Sequence, residues 1–316
     1  MLHNSNRRLD FCFMREFQLL RHVLATARGN GDVLIPPGDD MALLRLGDGQ
    51  LLAAVDQLVA ARHFDLGTTP LDLVGRKAVT RALSDIAAMA ARPVATLAAV
   101  ALPPDFGDER AKRLFDAMRS TAGHYRCPLV GGDIAIHGDR THPLLCTVTV
   151  LAEPAATPPI TRAGATVGDV VYVTGTLGGS FGSDGRGRHL AFEPRIDEAL
   201  ELAERLGAGL HAMIDISDGL GRDASHIAAL SGVGIEIDAD RVPRPEGIDW
   251  RRALGEGEDY ELCFTAAGRV PGTVGDVAVT AVGRVVPREA GSGPLVLVRE
   301  GGRTLAGDDL GWQHGS

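Results

Sequence analysis

The chain reads as an α/β (α+β) protein of two domains, and three observations lead there. Apolar runs of strand length alternate with segments of helical periodicity along most of the sequence. At 316 residues the chain is long enough for two separate cores. Between Glu153 and Asp169 the texture changes to the Pro-, Ala- and Gly-rich EPAATPPITRAGATVGD, after which the alternation starts afresh. That stretch divides the chain into residues 1–152 and 153–316.

The elements follow in order. A helix is expected from Met14 to Arg28, with Phe17, Leu20, Val23 and Leu24 on one stripe and Gly29 to stop it. GQLLAAVDQ reads as a buried strand ending at Asp56. Thr69 and Pro70 open a long helix as N-cap and first helical residue, and it runs through RKAVTRALSDIAAMAARP to stop before Pro93. VATLAAVAL then reads as strand, DERAKRLFDAMRSTAGHY as helix, and CPLV and LLCTVTVL as strands. The second half restarts with the strand VVYVTG and the glycine-rich GTLGGSFGSDGRGR. In MIDISDGLGRDASHIAALSG, residues 213–232, a short apolar strand runs into a helix.

Bulk properties narrow the function. Apolar residues make up 45% and charged residues 23%, an ordinary balance for a soluble globular protein. No run approaches 18 apolar residues, and MLHNSNRRLDFCFMREF has no signal-peptide core, so no membrane is expected. Cys12, Cys127, Cys146 and Cys263 lie far apart without a C-x-x-C pair, which suggests neither zinc nor disulfides but a reduced cytoplasmic protein. A net charge of −9 argues against nucleic acid. Lys77 and Lys112 are the only lysines, and no Walker-type G-x-x-x-x-G-K-[ST] occurs. Polyphosphates, if handled, need metal ions for most of the neutralising charge.

Aspartates recur where such ions would sit. Asp39 and Asp40 follow Gly38, Asp56 closes a strand, Asp133 follows two glycines after a strand, and Asp215 and Asp218 flank Ser217. Strand ends of this kind converge in α/β folds. Asp85 shares a helical stripe with Ala78, Ala82 and Met89. An unpaired carboxylate there costs several kcal/mol or protonates, and magnesium is the economical partner. Each acidic site also has a plainer reading: Asp218 as a helix cap, an Asp-Gly as a turn, His63 as a satisfied histidine, GTLGGS as a turn-rich loop rather than a phosphate loop.

Several segments in one order carry a resemblance: REFQLL, GDDMALL, VDQLV followed by HF, GRKAVTRALSDIAAMAARP, LVGGD, TRAGATVGDVVYVTGTLG, DISDGLGRDASHIAALSGVG, GEDYELCFT and the terminal GWQH. The chain resembles the thiamine-monophosphate kinase family of the aminoimidazole-ribonucleotide-synthetase-like (PurM-like) superfamily. The resemblance implies ATP-dependent, Mg2+-assisted phosphorylation of thiamine monophosphate to thiamine diphosphate. It also implies a homodimer whose N-terminal sheets join into a barrel, each beside a C-terminal mixed sheet flanked by helices. It assigns Asp39, Asp56, Asp85, Asp133, Asp215 and Asp218 to several magnesium ions. Gly132, Asp133, Arg162 and Ser217 go to ATP, and His63, Glu258 and Trp312 to the thiamine phosphate. No side chain is needed as a strong base, because the acceptor is already an anion.

The sequence departs from the family pattern. Ala54 and Val55 replace Ser/Thr-Thr, Ala60 and Ala61 replace an acidic-glycine pair, Ala82 replaces Asn, and Ile134 and Ala135 replace threonines. These changes keep two alternatives open: a related ATP-dependent enzyme with another small substrate, or a nucleotide-binding pseudoenzyme.

Overall fold

Two mixed β-sheets share one helix between them. The computed structural model describes residues 19, 22–23, 31–156, 158–182, 186–288 and 293–312; the expected helix over Met14–Arg28 lies largely outside these. The first sheet holds β1 (Val33–Ile35), β2 (Ala42–Leu46), β3 (Gly49–Val59), β4 (Ala91–Leu102), β5 (Leu129–Ile136) and β6 (Leu145–Pro154). Their order is β1-β2-β3-β6-β4-β5, antiparallel except for the parallel β4–β5 pair. The second holds β7 (Val170–Thr174), β8 (Leu210–Ile216), β9 (Gly234–Asp238), β10 (Glu261–Ala266), β11 (Thr273–Val274), β12 (Val277–Val286), β13 (Val296–Glu300) and β14 (Arg303–Ala306). It runs β14-β13-β9-β12-β7-β10-β8, with β11 paired to β12. The helices are α1 (Leu71–Ala88), α2 (Asp108–His124), α3 (Ile196–Leu206), α4 (Leu220–Ser231) and α5 (Trp250–Gly255). None of the described helices is long and apolar enough to cross a membrane.

Alternation explains the sheets. Along β6, Cys146, Val148, Val150 and Ala152 are fully buried while the threonines between them are not. Val74, Ala78, Val79, Ala82, Leu83 and Ile86 of α1 share the core with that face. The same core continues into Met213, Leu262 and Phe264 of the second sheet and Ile196, Ala199 and Leu202 of α3. Helix α1 is therefore buried nearly all round, and any polar group on it needs a partner. A second core lies under α4, where Leu220, Ala224 and Ile227 meet Val171, Ile214, Ile235 and Val296.

Several boundaries differ from the sequence reading. Strand β3 continues past Asp56 to Val59, so Asp56 sits inside a strand. Pro70 occupies the N-cap position instead of the first helical one, its carbonyl accepting the amides of Leu73 and Val74 at 3.0 and 3.1 Å. Strand β4 begins at Ala91 and includes Pro93. The pairing with β6 slips between Pro93 and Ala95, where proline cannot donate to the ladder. Strand β5 runs on through Gly131, Gly132 and Asp133 to Ile136, because Gly132 lets two backbones meet. Its φ is 155°, and a Cβ there would stand 1.8 Å from the Ala98 carbonyl oxygen.

Gly132→Ala should therefore lower stability by about 3 kcal/mol in urea unfolding. At Gly131 the nearest atom to an added Cβ is 3.9 Å away. Gly131→Ala should stay within about 0.5 kcal/mol of the parent. Equal losses at the two positions would show that the close β4–β5 approach is not what restricts residue 132.

Candidate active site

Carboxylates from three separate segments meet at the edge of α1. Oxygens of Asp40, ahead of β2, Asp85, near the end of α1, and Asp215, on β8, lie within 4.8 Å of one another. Ser84 donates its hydroxyl to Asp215 Oδ2 at 2.6 Å. Arg162, from the segment joining the sheets, donates its backbone amide to both Asp39 oxygens at 3.2 Å and its Nη2 to Asp40 Oδ1 at 2.5 Å.

Burial and mutual repulsion push Asp39, Asp85 and Asp215 towards protonation. Enclosure raises Asp39 to about 6, with the charge of Asp40 adding to it. Burial also raises Asp215 to about 7, again helped by Asp40. Asp85 is driven well above the ordinary carboxylate range, by burial first and then by Asp56, Asp215 and Asp40. Asp40 Oδ2 is enclosed with no hydrogen-bond partner, an omission that costs about 1–3 kcal/mol. An all-oxygen donor set with an unsatisfied carboxylate oxygen suits a hard divalent cation such as magnesium.

Next to the cluster lies a cavity of about 340 Å³ lined by Arg62, His63, Arg81, Phe181, Ser217, Asp218, Glu256, Glu258, Tyr260 and Trp312. The three residues assigned to thiamine phosphate, His63, Glu258 and Trp312, thus come together from three distant segments. The chain after β8 turns into the cavity because Asp223 accepts the amides of Ser217, Asp218 and Gly219 at 3.0, 3.1 and 3.1 Å. Asp223, from inside the helix, thus holds the loop ahead of it, and Asp218 stays at the cavity wall. The amide of Trp312 donates to the Asp218 carbonyl at 2.8 Å, and the Arg62 guanidinium lies 4.7 Å from the Trp312 ring centroid. His63 Nδ1 accepts the Val59 amide at 2.9 Å. Just before it, Ala61 holds a positive φ of 63°, a conformation that glycine adopts more easily.

Helix α1 supplies a stripe that the sequence reading passed over. Lys77, Arg81 and Asp85 are spaced by four and so share one face. Lys77 is wholly enclosed; it donates to the His63 carbonyl at 3.0 Å, to His189 Nδ1 at 2.9 Å and to Glu258. Burial works against the Glu258 charge, but nearby His189 and the charges of Lys77 and Arg81 outweigh it and hold the carboxyl at about 2. Arg81 Nε is 3.6 Å from Asp56 and its Nη1 3.9 Å from Glu258. The i, i+4, i+8 spacing of Lys77, Arg81 and Asp85 was the available signal for this stripe. Asp223 had none, since one more aspartate in a helix looks like solvated surface.

Two expected features sit elsewhere. Asp133 pairs in register with Ala99, and through Thr147 with Gln57. That row alternates with the one holding Asp56, so Asp133 lies on the opposite, open face of the first sheet, and within one chain it does not join the cluster. The loop GTLGGS cradles the protein's own carboxylates: Gly178 donates to Asp259 at 2.9 Å and Gly179 to Glu256 at 2.7 Å.

Comparison with known proteins agrees along nearly the whole chain. The family described as AIR synthase related protein, N-terminal domain, matches residues 38–153, and its C-terminal domain matches residues 166–292. The thiamine-monophosphate kinase of Mycobacterium tuberculosis is 34% identical over 280 residues, covering 81% of this chain and 82% of that one. The same enzyme of Rhodopirellula baltica is 32% identical over 295 residues, covering 86% and 90%. A solved structure of AaThiL complexed with AMPPCP and TMP superposes with a TM-score of 0.78 at 29% identity, over 95% of this chain and 97% of that one.

The raised carboxylates make metal-free stability depend on pH. A carboxyl whose folded value exceeds its unfolded one near 3.8 binds its proton more tightly when folded, so stability falls as pH rises from about 4 to about 7. Millimolar Mg2+ should therefore raise the melting temperature more at pH 8 than at pH 5, by about 3–6 °C. Differential scanning fluorimetry with and without chelator reads this. A shift independent of pH would argue against a cation at these groups.

Proposed function

The chain belongs to the thiamine-monophosphate kinase family of AIR synthase related proteins, and from that premise we propose that it transfers the γ-phosphoryl group of ATP to the phosphate of thiamine monophosphate. The observation that carries this reading is adjacency. The Asp40–Asp85–Asp215 cluster abuts a cavity whose walls suit a cationic ring bearing a phosphate. An acceptor phosphate oxygen attacks the γ-phosphorus, ADP leaves, and thiamine diphosphate results.

Asp39, Asp56, Asp85, Asp215 and Asp218, together with Asp40, would hold magnesium, and Asp133 is assigned to the same set from the open face of the sheet. Magnesium bound there would neutralise the phosphate oxygens that must approach one another. Arg162, fixed by Asp39 and Asp40, adds a permanent cation for the nucleotide, with Gly132, Asp133 and Ser217 assigned beside it. Glu258, kept ionised by His189, Lys77 and Arg81, is assigned to the substrate, and Trp312 offers the positive ring an aromatic surface. His63 is assigned to the substrate as a wall of the cavity. Its Nδ1 is engaged with the Val59 amide, which suits a positioning role better than proton abstraction through that atom.

A homodimer and a cytoplasmic location complete the proposal. The first sheet leaves Val55 and Leu97 exposed on its open face and Val130, Ile134 and Ile136 exposed along its β5 edge. A second copy would cover these residues and close the two sheets into a barrel. The free thiols Cys127, Cys146 and Cys263 fit a reducing compartment.

Asp85→Asn should cut ADP release in a coupled assay with Mg2+ and thiamine monophosphate by at least about 100-fold. The metal-free melting temperature should hold or rise, because one of three mutually repelling acids is neutralised. Full activity in that variant would remove Asp85 from the metal set. For the dimer, Ile134→Lys should shift the mass measured by light scattering towards one chain; a monomeric parent protein would overturn the barrel.

A further inference from the structure

We propose that Arg81 clamps the phosphate of the acceptor and makes the cavity select a phosphorylated over an unphosphorylated ligand. This rests on the kinase reading above and adds a specificity-determining residue to it.

Arg81 holds donors in reserve. Its Nε and Nη1 are enclosed and make no hydrogen bond. Asp56 at 3.6 Å and Glu258 at 3.9 Å flank the guanidinium but stand beyond hydrogen-bond reach. Two carboxylates at that range offset its charge without consuming its N–H groups. Neighbouring cations are committed elsewhere: all three Lys77 protons have acceptors. Arg162 donates to Asp40 and is not among the residues lining the cavity, and Arg62 lies over Trp312.

Position gives the clamp a direction. Arg81 lines the cavity and stands one helical turn from Asp85, on the side where the acidic cluster lies. The wall also carries Glu256 and Trp312, acidic and aromatic, which suit a cation. A ligand with a positive ring and a phosphate would turn its phosphate towards Arg81, a lining cation with unused donors. There the planar guanidinium can take two phosphate oxygens at once, which a lysine cannot reproduce.

Calorimetric titration of the full-length protein in Mg2+, with thiamine monophosphate and with thiamine as separate probes, tests the clamp. The parent protein should prefer the phosphorylated ligand. Arg81→Met should weaken thiamine monophosphate at least tenfold and leave thiamine within about twofold, while Arg81→Lys should fall between. The unchanged affinity for thiamine serves as the control for folding. Thiamine monophosphate bound by Arg81→Met as tightly as by the parent, or both ligands weakened equally, would overturn the clamp and leave the kinase reading standing. A parent protein that binds neither ligand would overturn both.

Discussion

Three carboxylates held within 4.8 Å of one another form an arrangement that a fold tolerates only with positive charge close by. Asp40, Asp85 and Asp215 come from a turn, a helix and a strand, so their proximity is imposed by the packing of both sheets around α1. Much of the surrounding structure answers that repulsion. Arg162 bridges Asp39 and Asp40, Ser84 supports Asp215, and Arg81 lies beside Asp56. What these groups leave unbalanced is buried negative charge, which the proposed magnesium would offset.

Helix α1 links the cluster to the cavity. Its apolar residues are shared by both sheets, which fixes its position rigidly. Lys77, Arg81 and Asp85 then project from one face of a helix that cannot shift without disturbing both layers. Lys77 orients Glu258, Arg81 lies between Asp56 and Glu258, and Asp85 reaches Asp40 and Asp215. Positioning of this kind is the main contribution a protein makes to phosphoryl transfer between two anions.

The departures from the family pattern fall unevenly on this frame. Ala82 is fully buried in the shared core, so a methyl group in place of an amide affects packing more than the site. Val55 sits in register with Thr149 and Leu97 on the open face of the first sheet, away from the cavity. Ala61 keeps a left-handed backbone immediately before Arg62 and His63, the residues that line the cavity.

Local chemistry determined a good deal of this protein without any coordinates. Alternating apolar residues specified β6, amphipathic periodicity specified α2, and the Pro- and Gly-rich stretch after Glu153 marked the passage between the sheets, because these signals lie within a few consecutive residues. The aspartates were legible as candidates for the same reason, and so was the anomaly of Asp85 on an apolar stripe. Tertiary structure alone decided which of them meet. It chose Asp40 for the tight trio, turned Asp133 to the other face through a strand that Gly132 allows to continue, and converted GTLGGS into a cradle for Asp259 and Glu256. It also made Lys77 and Arg81 part of the site. Such choices depend on register, strand order and the packing of segments as far apart as those of Arg62 and Trp312, and no short window of sequence contains them.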